Sequence, residues 1–286
     1  MATTSERCQL VFRKVERDLE KLSAEPKADR VHSFRTSTRR LETLLEELIA
    51  DRTRKQKKLL KMLRGIRKQA GKVRDLDVQL SALRSLKVPL EPRRKTQLLQ
   101  GLIELRVTHE KKLRKALTKQ ATREIRKRLK KVSKEVKLKN SREPLAAAYE
   151  LLSRVAPHGG PVTEDVLHRC RVLVKCARYA AEFAPPSPAA AQFIAQMKRL
   201  QDILGNWHDW LTLTHTATER LGDVNQSPLV AVLHNVSGGK FRQAVAAVTA
   251  SPALQTGPKR VSLPPPASLK PGAKFSTQMS RTDSAA

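Results

Sequence analysis

The sequence predicts an all-α fold: two pseudo-symmetric four-helix bundles, one per half of the chain, facing a central basic groove, with a disordered C-terminal tail. Three observations carry this expectation. Leu, Ala, Glu, Lys and Arg dominate while aromatics make up only 3% of the 286 residues, which is a helix-forming composition. Apolar residues recur with the helical period through most of the chain. The third observation is an internal repeat. Val31-His32-Ser33-Phe34-Arg35 returns as Leu167-His168-Arg169-Cys170-Arg171, with His168 lying 136 residues beyond His32.

Taken in order, Leu10, Val11, Val15, Leu19 and Leu22 mark one face of a first helix over 5–23, which Pro26 stops. The second helix carries His32 and reaches about Ala50. A third spans 55–86, ending before Val88-Pro89. A long basic element follows at 93–137, with an apolar stripe through Leu98, Leu102, Leu105, Leu113 and Leu117. Asn140-Ser141 with Pro144 marks a seam between a first unit, 5–138, and a second, 141–250. The second unit opens with a short helix at 143–155 and the loop Pro157-His158-Gly159-Gly160-Pro161. Thr163 then serves as N-cap, with Glu164 and Asp165 in the first turn of the His168 helix. Helices at 188–221 and 228–250 complete it. Residues 251–286, rich in Pro, Ser, Thr and Ala, read as a disordered tail.

The third helix also has a counterpart. Arg64, Gly71 and Asp75 match Lys198, Gly205 and Asp209, each 134 residues on. A glycine inside a helix costs about 1 kcal/mol relative to Ala, so Gly71 and Gly205 serve close approach or ligand access rather than helix stability. Trp207 and Trp210 take the places of Val73 and Leu76, which are core positions.

The net charge is +30, and residues 1–140 carry +24 of it. Such a field selects polyanions over neutral partners. On a helical wheel His32, Arg35 and Arg39 fall within about 60° of one another, opposite Phe34, Leu41, Leu44 and Leu48. His168, Arg171, Lys175 and Arg178 share one arc in the second copy. The expected groove therefore has one wall of His32, Arg35, Arg39, Arg40, Arg64, Arg67 and Arg74. Its other wall is His168, Arg171, Lys175, Arg178 and Lys198. Arginine offers forked N–H donors to tetrahedral oxyanions, lysine a point charge, and histidine a donor that becomes cationic beside an anion. Asp75 and Asp209 are placed to lock neighbouring arginines.

Nucleic acid is the rival ligand, since its phosphates attract the same cations. The basic faces, however, lack the aromatic platforms on which single strands stack, and no zinc-ligand spacing or RNA-binding signature is present. No P-loop, HExxH or paired acidic motif appears, so neither catalysis nor a metal or cofactor is expected. Asp75 and Asp77 point about 160° apart on a helix. Cys8, Cys170 and Cys176 are odd in number and show no CxxC spacing, which suits reduced thiols. No apolar run is long enough for a membrane span, and no signal peptide leads the chain, so a cytoplasmic location is expected.

Together these motifs resemble the CHAD family, the conserved histidine α-helical domain. The resemblance rests on Val31-His32-x-x-Arg35-x-x-x-Arg39-Arg40-Leu41 and Gly71-x-x-Arg74-Asp75-Leu76-Asp77-Val78 in the first half. In the second it rests on Leu167-His168-x-x-Arg171-x-x-x-Lys175-x-x-Arg178-Tyr179 and Leu200-Gln201-Asp202-x-Leu204-Gly205-x-x-x-Asp209. It covers about residues 5–250. It implies two four-helix bundles around a basic pore, binding of inorganic polyphosphate and association with polyphosphate granules. The sequence departs from the family pattern at Cys176, where Arg or Lys is usual, and at His208, where Asn is usual.

Overall fold

A computed structural model describes residues 4–87, 92–136, 142–154 and 161–255. Among them are ten α-helices and no strand: α1 Thr4–Ala24, α2 Ala28–Thr43, α3 Arg54–Ser85, α4 Pro92–Ala116, α5 Lys119–Glu135, α6 Pro144–Ser153, α7 Glu164–Ala181, α8 Pro188–Leu221, α9 Pro228–Thr249 and α10 Pro252–Gln255. The helix starts follow local chemistry. Thr53 and Gln56 form a reciprocal capping box at α3, and Thr163 and Ser187 cap α7 and α8 through their hydroxyls. Proline occupies the first turn of α6, α8 and α9, where its missing N–H leaves nothing unpaired. Gly222, at φ 88°, closes α8 in the left-handed region.

Two differences from the sequence reading stand out. The basic element over 93–137 is not continuous: α4 ends at Ala116, and Thr118 accepts the Ala121 N–H to start α5 as a separate helix. The second helix does not run to Ala50 as an α-helix, because Leu44–Leu48 form a π turn. That wider turn buries Leu44, Leu45 and Leu48, leaving Glu46 beside Arg52 and Arg64.

The apolar faces of α1, α2, α3, α5, α6, α7 and the first half of α8 close over one core. Phe34, Leu41, Leu44 and Leu48 lie in it as the helical period requires, beside Val15, Leu19 and Leu22 of α1. Leu10, counted with the α1 apolar face, is instead 52% exposed. Each buried Leu contributes roughly 1.5–3 kcal/mol of transfer free energy. A second core joins the far ends of α3 and α4 to those of α8 and α9 through Leu76, Leu80, Leu98, Leu102, Leu213 and Leu229. Trp207 is 1% exposed in the first core and Trp210 packs against the second, as their equivalence to Val73 and Leu76 predicts. Packing extends past residue 250: α10 adds Leu254 to the core, so 251–255 do not belong to the tail. Residues 256–286, the rest of the expected tail, lie outside the described residues, as does the loop 155–160.

The repeat is visible in how the helices meet. Arg40 of α2 pairs with Glu182 beyond α7, and residues of α2, α3, α7 and α8 line one cleft.

Candidate functional site: a cationic cleft between the repeats

The cleft has a volume of about 670 Å³. Nine of the twelve expected site residues line it: His32, Arg35, Arg39, Arg40, Arg74, Arg171, Lys175, Arg178 and Lys198. They come from four helices because each helix turns its apolar side to the core and its cationic side inward to the shared opening. Gly71 and Gly205 divide the two roles expected of them. The Arg35 guanidinium lies where a Cβ on Gly71 would stand, so the missing side chain lets α2 and α3 close around an arginine. Gly205 has nothing within 4 Å of its Cβ direction and lines the cleft, which makes it a point of access.

Two groups of cations occupy the cleft. The first is held in place. Arg40 Nε donates to Glu182 Oε2 at 2.6 Å, and Arg178 reaches Glu182 Oε1 at 2.6 Å while its Nε donates to Gln201 at 2.9 Å. Both guanidiniums lie over the buried Tyr179 ring, at 5.4 and 4.7 Å from its centroid. Arg35 sits 3.8 Å from Asp75, which thus takes the locking role expected of it. Lys198 pairs with Asp202.

The second group has no ion-pair partner. Arg74, Arg171 and Lys175 have no carboxylate within ion-pair distance among the described residues, and Arg171 Nε is buried without a hydrogen-bond partner. Burial pushes Arg171 down from the usual guanidinium range. Burial, followed by the neighbouring Arg171 charge, pushes Lys175 down to about 8. His32, at the mouth, is held below the usual imidazole value by burial and then by Arg74, Arg35 and Lys175. Cations that oppose one another's protonation in a partly dry cleft define a place where an anion relieves the strain.

Three expected wall residues lie elsewhere. Arg64 and Arg67 face a carboxylate cluster: Arg64 Nε meets Glu42 at 2.5 Å and its other end meets Glu46, while Arg67 lies 2.7 Å from Glu42. Their charge is used in tying α3 to α2. His168 packs against His208, ring centroids 5.8 Å apart, with His208 Nδ1 3.9 Å from Asp209. Asp209 faces Arg171 and Lys175 electrostatically without pairing with either. No residue of α4 or α5 lines the cleft among the described residues, so the most basic segment of the chain stands apart from it. The sequence reading overlooked Glu182, although its position one turn after Arg178 is an ion-pair spacing. Asn206, also in the lining, carries no signal in a single sequence.

Among the described residues no group of three His, Cys, Asp or Glu is arranged to hold a metal ion, and no helix is long and apolar enough to cross a membrane.

Fold and site define a two-repeat helical domain built around a cationic cleft. The family model of the CHAD domain matches residues 7–218, and the chain belongs to that family. Polyphosphate binding is a known role of the family. The crystal structure of the CHAD domain from the plant Ricinus communis shares the fold, with a TM-score of 0.61 and 16% identity over 88% of this chain and 93% of that one. No curated protein matches the sequence.

Proposed function

We propose that this protein binds inorganic polyphosphate in the cleft and performs no chemistry on it. The supporting observation is the set of cations without an ion-pair partner, Arg74, Arg171 and Lys175, on facing walls. Leaving a partly buried charge unpaired is costly, and a chain of phosphates supplies the missing negative charge repeatedly and without bases to recognise. Arg35, Arg40 and Arg178, already fixed by Asp75, Glu182 and Tyr179, present their remaining N–H donors at little further entropic cost. Of the carboxylates in the lining, Asp75 anchors Arg35 and Asp202 anchors Lys198, while Asp209 stands near Arg171 and Lys175 without pairing with either. The Cys176 thiol is pushed up by burial, which disfavours the reactive thiolate. Association with polyphosphate granules, and a cytoplasmic setting for it, follow from the same reading.

A competition assay tests the proposal. Labelled long-chain polyphosphate is bound at near-physiological salt, then challenged with equal phosphate equivalents of unlabelled polyphosphate, single-stranded RNA, duplex DNA and heparin. Displacement by polyphosphate alone supports a selective cleft. Equal displacement by all four makes the protein a general polyanion binder, with the exposed basic face of α5 the first place to look for nucleic-acid contact.

A further inference from the structure

A second cavity adjoins the cleft and shares Arg40 with it. This groove, about 380 Å³ in volume, lies between α1 and the end of α7. Its charged lining is Arg7, Arg13, Lys14 and Arg17 from α1, with Arg40 and Glu182 at the boundary. Glu182 is taken up by both Arg40 and Arg178, so it brings no free negative charge to the groove. Lys14 is paired with the buried Asp18 at 2.9 Å, and Arg7 donates to the Ala184 carbonyl. Arg13 and Arg17 are exposed, one helical turn apart, and have no carboxylate partner among the described residues. The apolar part of the lining is Leu10, Val11 and Phe183.

We propose that polyphosphate leaves the cleft past Arg40 and lies along α1 against Arg13 and Arg17, so that the groove makes binding dependent on chain length. The inference rests on the cleft reading. A short anion is satisfied by the cleft cations alone. A long one must place its remaining units somewhere, and the groove offers the next two unpaired guanidiniums beyond Arg40. Because the second contact is then intramolecular, its effective concentration is high and the gain is reserved for chains long enough to span both sites. The boundary pair is suited to this: Arg40 is fixed by Glu182 and Tyr179, keeps N–H donors beyond the two that Glu182 accepts, and lines both cavities.

The test measures two ligands, tripolyphosphate and a long-chain polyphosphate, against three full-length proteins: wild type, Arg13→Gln/Arg17→Gln and Arg171→Gln/Lys175→Gln. The α1 variant is expected to bind tripolyphosphate as wild type does and to lose about tenfold in affinity for the long chain. Its long-chain salt slope should fall by about 1.4, the share of two phosphate contacts. The cleft variant is expected to lose both ligands. Unchanged long-chain affinity in the α1 variant overturns the inference, as does an equal loss for both ligands, which would make Arg13 and Arg17 part of a general field. Tripolyphosphate binding that survives in the cleft variant instead overturns the cleft reading on which the inference rests.

Discussion

The Arg35 guanidinium fills the space that a side chain on Gly71 would need. A helix interior normally prefers alanine by about 1 kcal/mol, and here that preference yields to the placement of one cation. Gly71→Ala pushes only the tip of a flexible side chain, so the fold should survive with stability within about 1 kcal/mol of wild type. Polyphosphate affinity should fall several-fold, because Arg35 is displaced from Asp75 and the cleft. Denaturant unfolding alongside a binding isotherm separates the two effects. Gly205→Ala meets no neighbour and should raise stability by up to about 1 kcal/mol.

Lys175 gives the binding a pH dependence at the alkaline end. Its pKa in the free protein is about 8, and a bound anion raises it. The lysine contribution is therefore fully present below about pH 8 and is lost as pH rises through the higher value of the complex. Calorimetry at pH 8–9 in buffers of different ionisation enthalpy should show proton uptake on binding. Lys175→Arg should keep the affinity and abolish that uptake.

His32 acts in the opposite range. Burial, then Arg74, Arg35 and Lys175, hold its free pKa below 6.5, and a polyanion bound beside it would raise it. Affinity should therefore climb as pH falls through the raised value, with the full gain reached only below the lowered one. His32→Gln should flatten the profile between about pH 5 and 7. An unchanged profile would place the imidazole out of contact with the ligand.

Glu42 holds two structural cations, Arg64 and Arg67, together with one cleft cation, Arg39, at 3.2 Å. It is 8% exposed; burial favours its neutral form, yet the Arg64 hydrogen bond and the Arg67 and Arg39 charges prevail and hold its carboxyl below the usual range. Glu42→Gln strands Arg67, whose side chain is 12% exposed, and should cost about 3 kcal/mol of stability. Since a carboxyl with a lowered pKa stabilises the fold above its unfolded value, stability should also fall as pH drops below about 4.5. Arg64→Gln, with half of its side chain in solvent, should cost less than about 1 kcal/mol and leave polyphosphate affinity unchanged.

These contrasts show how far a single sequence reaches. Helix extents and the repeat were legible because apolar periodicity and caps such as Thr163 and Ser187 are local signals. The faces of α2 and α7 were legible too, since Phe34, Leu41 and Ala177 fix which side is buried and so which cations look away from the core. Arg64 and Arg67 were misplaced for a physical reason. A wheel orders residues around one helix but does not say what stands opposite, and here Glu42 at the end of α2 and Glu46 in the π turn stand against that face of α3. The break between α4 and α5 was signalled by Thr118 alone, within a run whose charge and apolar stripe both continue. Arg40 as the boundary between two cavities follows from where α1 and the end of α7 come together in three dimensions.

If both repeats grip one ligand, one neutral substitution on each wall should weaken binding from either side. Fluorescence anisotropy with labelled polyphosphate at near-physiological salt compares wild type, Arg35→Gln, Arg171→Gln and the double variant. Each single substitution should lose about tenfold in affinity and the double about a hundredfold or more, with helicity unchanged throughout. Wild-type affinity in either single variant would contradict the shared grip, because one wall would then bind polyphosphate without the other.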